Sequence, residues 1–488
     1  MLHIIPWHPL RAVLVDSLRV LLARIPLPIP FLRPTPRMLP PPQSQIPVYV
    51  MLPLDTALPH PDIPFHLLNT FLKALHSIGV RGVMVDIWWG ICEPNPGEYT
   101  FDAYLPLFEA CREIGLQIQA TISFHACGGN VGDAVNIPLP HWVRDAAAKH
   151  HFWFTDREGF QNPEYISFGA DHEPCLPVPN DACDEVTPMR LRTPLQAYGA
   201  FMNAFVQFVK SKKLLGSVIT ELQIGMGPCG ELRYPSYPLL NDMWSFPGIG
   251  EYQCFDKYML NDLQQTVRQK GTEAVKAATL PPTATGRYND TPWATDFFTN
   301  GFKTESGTFF QNWYCSKMLE HCEDVLRQAR SVIPQSQKSV ALAVKISGVH
   351  WWRFTASRAA EATAGYMMSG TKTAYQDIAK LFKTYNVVLD FTCLEMRTID
   401  QPFLRARCGP RQLVGEVFRH ARKEGIVVAG ENALERLDWA AFAQIVSAYK
   451  FNRCERHGFT LLRLSKKMMD PDNLRNVERF VKVMRRVK

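Results

Sequence analysis

Eight short apolar runs recur from residue 46 onward, and each is followed by a longer stretch of helical patterning. They occupy 46–54, 82–90, 117–125, 219–227, 340–348, 387–395, 426–433 and 459–465. Most are nearly continuous strings, such as GVMVDIWWG and VALAVKISG, as expected of parallel strands buried on both faces. Between them, residues 63–79 place Phe65, Leu68, Phe71, Leu72 and Leu75 on one face and stop at Gly79. Residues 102–115 do the same with Leu105, Leu107, Phe108, Cys111 and Ile114 and stop at Gly115. Further helices are expected at 410–424 and 438–450. Strand and helix alternating eight times predict an α/β fold, a (β/α)8 TIM barrel. The intervals 126–218 and 228–339 exceed one helix and a turn. They predict long loops at the C-terminal face of the strands, where such barrels carry their sites.

The ends of the chain read differently from this body. The 488 residues carry a net charge of +7, but residues 1–45 hold +4 and residues 464–488 hold +5, which leaves about −2 for the middle. A polyanion-binding groove through the body is therefore not expected, and nucleic acid is excluded as a partner. Leu10, Leu14, Leu18, Leu21 and Ile25 recur at helical spacing among Arg11, Arg19 and Arg24, before a proline-rich stretch from Pro26 to Pro42. This basic, acid-poor start resembles an organelle transit peptide, with a disordered extension or a misassigned start as the alternative. Domain organisation is thus expected as a 1–45 extension and a single 46–488 catalytic barrel. No uncharged apolar run reaches the ~18 residues a membrane helix needs, so no membrane partner is expected. The 12 cysteines form no C-x-x-C pair and no zinc-like cluster, so free thiols are expected, with no metal and no cofactor.

A polar or ionisable residue stands just past every run. In order these are Asp55; Asp86 with Trp88 and Trp89; His125 with Asp133; Glu231; Lys345 with His350; Thr392 with Glu395; Glu431 with Asn432; and Arg463. Each alone reads as a cap, a solvated charge or a satisfied core group, but barrel closure would gather them on one rim. Trp88, Trp89, Trp351, Trp352, Tyr234 and Tyr237 lie close by, and they read either as core or as platforms for sugar rings. Glu231 and Glu431 follow glycines at strand ends and suit the two carboxyls that glycosidic hydrolysis needs. Residue types and spacing do not separate this pair from Glu98, Glu221 and Glu395.

FHACGGNVGD (124–133) and GPCGELRYPSYP (227–238) resemble the two signatures of the β-amylase family, inverting exo-acting hydrolases of α-1,4-glucans. MVDIWWG (84–90), FPGIGEYQC (246–254), KISGVHWW (345–352), FTCLEM (391–396), AGENAL (429–434) and FTLLRLS (459–465) match in the family's order. The resemblance runs from about residue 46 to 487. It implies a β-amylase acting on starch and maltooligosaccharides, as a monomer, in plastid or cytoplasm. Glu231 is implied as general acid, held protonated by a partly apolar site. Glu431 is implied as general base, kept ionised by polar partners. Asp86, His125, Asp133, Lys345, His350, Thr392, Asn432, Ala433 and Arg463 are implied as sugar contacts. The Gly-rich stretch 128–135 is implied to be a lid that brings Asp133 onto the glucan, and 391–396 an inner loop carrying Thr392. Bulky reagents at Cys127 or Cys393 would then block loop closure.

Some segments depart from the family pattern. Residues 174–195, with Cys175 and Cys183, look longer than the family's and are expected to affect access at the rim. Glu435-Arg436-Leu437 stands where Pro-Arg-Tyr is usual, which would relax the support behind Glu431. With 25 residues after Arg463, no starch-binding module is expected. The competing readings are a catalytically silent glucan-binding member and a retaining glycosidase of another barrel family, with carboxyls about 5 Å apart.

Overall fold

The computed structural model describes residues 45–130, 132–180, 189–369 and 372–487. The expected leader, apart from Gln45, and Cys183 lie outside these residues. Eight parallel strands close a barrel: β1 Val48–Met51, β2 Gly82–Trp88, β3 Gln117–Ser123, β4 Ile219–Ile224, β5 Ala341–Ile346, β6 Val387–Phe391, β7 Val428–Glu431 and β8 Arg456–Leu461. Neighbours follow chain order, and β8 returns to pair with β1. Each strand is followed by a helix of the outer ring: α1 Phe65–Ser77, α2 Leu105–Ile114, α3 Pro194–Ser211, α4 Glu305–Val332, α5 Tyr375–Tyr385, α6 Pro410–Glu424, α7 Trp439–Phe451 and α8 Pro471–Met484, with additional helices His141–His150 and Lys257–Lys270 in the long intervals after β3 and β4. Every expected strand is present, and α6 keeps its expected bounds.

Local chemistry sets these helices. In α3, Thr193 accepts the Gln196 N–H at 3.2 Å while the Gln196 side chain accepts the Thr193 N–H at 2.9 Å, and Pro194 occupies the first turn. Gly115 ends α2 at φ 90°, a left-handed conformation that costs glycine little. The inner faces of the helices pack on the strands, with Leu107, Phe108 and Cys111 of α2 buried beside β3. Removing one such ring, as in Phe108→Ala, costs about 3–5 kcal/mol.

The barrel lumen is unusually polar. Thr460 on β8 donates to Gln119 on β3 at 2.9 Å, and Gln223 on β4 donates to Asp390 on β6 at 2.6 Å. Both bonds join strands that are not neighbours, so they cross the lumen. Gln119 also donates to Glu221 at 3.1 Å, Thr121 donates to Gln223 at 3.2 Å, and His457 meets Glu221 at 2.5 Å. Such barrels usually fill this space with branched apolar side chains.

The long intervals carry structure that periodicity did not reveal. Trp153–Thr155 pairs with Gln161–Ile166, and Leu176–Pro179 pairs with Met189–Arg192, as two antiparallel hairpins after β3. Among the described residues no helix is long and apolar enough to cross a membrane.

Candidate active site

The C-terminal ends of the strands open into a cavity of about 630 Å³. It is lined by ten of the eleven residues implied from the sequence: Asp86, His125, Asp133, Glu231, Lys345, Thr392, Glu431, Asn432, Ala433 and Arg463. His350 stands apart, with its Nδ1–H donating to the Gly348 carbonyl at 2.9 Å and its ring beside Trp351 and Phe246. Of the rival carboxyls, none lines the cavity. Glu98 is exposed in a turn with Asn95, and Glu221 sits in the lumen below. Glu395 lies behind the rim and accepts the N–H groups of Ala433 at 3.0 Å and Leu434 at 2.9 Å.

Glu431 is the last residue of β7 and is buried. Its Oε2 meets the Nζ of Lys345, from β5, at 2.8 Å. Burial opposes the charge on that ammonium, but Glu431 and Asp390 outweigh it and push Lys345 above its ordinary range. Asp390 lies beside Lys345 in the β5–β6 register. Burial, and then the facing Glu431 carboxylate, push the Asp390 carboxyl well up, while its Oδ2 accepts from Gln223 at 2.6 Å.

Glu231 arrives differently. After β4 the chain turns through Cys229 at φ 54° and Gly230 at φ 70°. A Cβ on Gly230 would stand 3.4 Å from the His125 ring. The turn delivers Glu231 opposite Lys345, in backbone bridge register with it. Its Oε2 accepts from Arg233 Nε at 2.7 Å. The buried Arg233 guanidinium lies 4.3 Å from the Tyr237 ring centroid and donates to Asn130 at 3.3 Å. The setting of Glu231 is therefore ionic, not partly apolar as expected, because Arg233 two residues on folds back against it.

The remaining lining residues are tightly placed. Asp86 accepts from Ser123 at 2.8 Å, and burial pushes its carboxyl up despite Arg463 and Lys345. The His125 ring meets Trp88 edge-on at 5.1 Å, and burial, with Lys345 and Arg233 adding, pushes it down to about 3, so it is neutral. Arg463 donates to the Leu52 carbonyl at 2.8 Å. Asn432 donates to the carbonyls of Leu434 at 2.7 Å and Leu462 at 3.0 Å and accepts the Leu462 N–H at 2.7 Å. With Glu395, these bonds anchor the segment after Glu431 even though Glu435 and Leu437 depart from the usual pattern. In the Gly-rich stretch, Asp133 accepts the N–H groups of Gly128 at 2.8 Å and Asn130 at 3.0 Å.

Three expectations change. Trp89, Trp351 and Trp352 are buried core, as is Tyr234, stacked on Tyr314 at 3.7 Å; Trp88 is buried too and shows the cavity one face. Cys127 and Cys393 are buried and burial pushes both thiols up, so neither is a ready target for a bulky reagent. No described residue of 174–195 lines the cavity, and Arg192 of its hairpin pairs instead with buried Glu93 at 2.6 Å. Arg233, Asp390, Gln223 and Asn130 were not singled out in the sequence, although Asp390 and Gln223 lie inside strand runs and Asn130 and Arg233 inside the two signature stretches.

Two carboxyls lining one cavity, one of them paired with a lysine, among Asp, His, Asn and Arg side chains suited to hydroxyls, above a closed (β/α)8 barrel, define a glycoside hydrolase. Residues 49–488 match the profile of glycosyl hydrolase family 14. The chloroplastic β-amylase 2 of Oryza sativa subsp. japonica is 44% identical over 447 residues, 90% of this chain and 77% of the relative. A β-amylase of Glycine max is 40% identical over 455 residues, 90% of this chain and 86% of the relative. The crystal structure of the catalytic domain of β-amylase from Paenibacillus polymyxa superposes with a TM-score of 0.73 at 26% identity, covering 92% of this chain and 100% of that one. The chain belongs to glycosyl hydrolase family 14, the β-amylase family.

Proposed function

We propose that the protein hydrolyses α-1,4-glucosidic bonds of starch-like glucans from their non-reducing ends and releases β-maltose by inversion. The observation that carries this reading is the pair Glu231 and Glu431, lining one cavity from the turn after β4 and the end of β7, with Lys345 paired to Glu431. Glu231 gives its proton to the glycosidic oxygen as the C1–O bond breaks. Glu431 takes a proton from a water whose oxygen bonds C1 from the opposite face. Glu431 then gives its proton up to solvent, and solvent restores the proton on Glu231. Room for that water requires the carboxyls to stand roughly 6.5–9.5 Å apart. The Lys345 ammonium pairs with the Glu431 carboxyl at 2.8 Å, and Asp390, whose carboxyl burial pushes up, flanks that pair. Asp86, His125, Asp133, Thr392, Asn432, Ala433 and Arg463 bind the sugar, with His350 joining them from the outer rim.

Proton NMR of the first product from maltopentaose tests this. The β anomer of maltose is expected; the α anomer overturns inversion, and measurable binding without maltose favours a silent glucan-binding member. The protein is proposed to act as a monomer, and in plastids, the compartment supported by four relatives named chloroplastic. A fluorescent fusion to residues 1–45 that stays in the cytosol would overturn the plastid assignment.

A further inference from the structure

Glu164 sits in the second strand of the hairpin after β3, far in sequence from either catalytic carboxyl, and it is buried. One of its oxygens, Oε1, accepts from the Asn130 side-chain amide at 2.6 Å and from the Cys229 backbone N–H at 2.9 Å. The first partner belongs to the Gly-rich stretch, the second to the left-handed turn that delivers Glu231. The Glu164 carbonyl also accepts the Ala126 N–H at 2.8 Å, at the entrance of the Gly-rich stretch. Asn130 in turn accepts from Arg233, which holds Glu231. The contacts make a ring: Glu164 to Asn130 to Arg233 to Glu231, and back through the Cys229 turn to Glu164.

We propose that Glu164 is a positioning residue for Glu231: it ties the Gly-rich stretch and the acid-bearing turn to a single oxygen and, through Asn130, shares Arg233 with the acid. This rests on Glu231 being the proton donor. The charged and titratable groups around Glu164 are Arg233 from the segment after β4, Asp133 from the Gly-rich stretch, and the Cys229 thiol, which burial pushes well up and keeps neutral. Burial pushes the Glu164 carboxyl up to about 7, with Arg233 and its two hydrogen bonds opposing. It therefore gains charge in the range where a general acid must keep its proton. An ionised Glu164 competes with Glu231 for the one guanidinium, which holds the proton on the acid to higher pH.

Two variants separate the geometry from the charge. Glu164→Gln keeps Oε1 as an acceptor for both donors and removes the charge. Glu164→Leu removes the acceptor as well. The Gln variant is expected to keep kcat within about threefold on the acidic side, with the alkaline limb of kcat/KM moved down by about one pH unit. The Leu variant is expected to lose about 100-fold in kcat, the scale of a reacting group displaced by about 1 Å. Hydrogen exchange of the segments around residues 128–130 and 229–231 reports the tie without catalysis. Exchange is expected to quicken in both segments for Leu and to stay near wild type for Gln. An unmoved alkaline limb in the Gln variant overturns the shared-arginine claim, and unchanged exchange in the Leu variant overturns the tie. If Glu164→Leu does not fold, the Gln pH profile still decides. If the wild type itself releases no maltose, the functional reading fails, while exchange still decides whether Glu164 joins the two segments.

Discussion

Glu431 and Glu231 face one cavity but are held by different parts of the molecule. Glu431 ends a barrel strand and meets Lys345 from another strand, with Asp390 of a third between Gln223 and itself. Glu231 lies past the end of its strand, on a left-handed turn, and its partner Arg233 belongs to the same loop. One carboxyl is set by barrel register and the other by contacts among long loops. On the roles proposed for the two carboxyls, the difference teaches that the barrel fixes where water is activated, whereas the loops fix where the leaving oxygen is protonated. Disturbing the loops should therefore change protonation of the leaving group first.

The strongest way to break this contrast is to neutralise each carboxyl. Glu231→Gln and Glu431→Gln are each expected to lower kcat on maltopentaose by about 10³–10⁴-fold with glucan binding retained. On α-maltosyl fluoride, whose leaving group needs little protonation, Glu231→Gln should recover most of its rate and Glu431→Gln should not. Equal recovery in steady-state assays would erase the distinction between the arms.

Removing each cation sharpens it. Lys345→Met leaves Glu431 and Asp390 without their ammonium, so protonated forms are favoured and the acidic limb of the pH profile moves up, with a loss of about 100-fold in kcat. Arg233→Met takes positive charge from the acid side, and the alkaline limb moves up instead. If both variants move the same limb, the two arms are not electrostatically separate.

The smallest effect is expected away from both arms. Burial, with the Asp156 carboxylate adding, pushes Glu251 up to about 7 in the loops after β4. A carboxyl raised in the folded state costs nothing below the unfolded value of about 4.3, and its cost grows as pH rises toward 7. Glu251→Gln should thus raise Tm by about 2 °C near pH 8 and leave it unchanged near pH 4, by calorimetry. A matching gain at both pH values would show that the effect is not ionisation.

The same contrast explains what the sequence disclosed. Strands such as 387–395 and helices such as 410–424 are local patterns of apolar spacing, and local patterns survive translation into structure. The rim residues were legible because each lies near the C-terminal end of its strand or a few positions past it. Glu164 and Asn130 were not, since their meaning lies in a bond between segments 34 residues apart. Arg233 was adjacent to Glu231 in sequence, yet nothing in its spacing said that it would fold back on it. The tryptophan pairs could be core or platform from pattern alone; burial places Trp89, Trp351 and Trp352 in the core, while buried Trp88 still lines the cavity.

The hydrogen-bonded lumen also bears on how this chain can change over generations. Thr460 with Gln119 and Gln223 with Asp390 form complementary pairs across the barrel, and Gln119 also bonds Glu221 on the neighbouring strand. A single replacement that strands one buried partner costs about 1–3 kcal/mol, whereas a matched double change can be nearly neutral. Substitutions in this layer should therefore arise as compensated pairs, and a recombinant that inherits half of such a pair from a relative should fold less well than either parent.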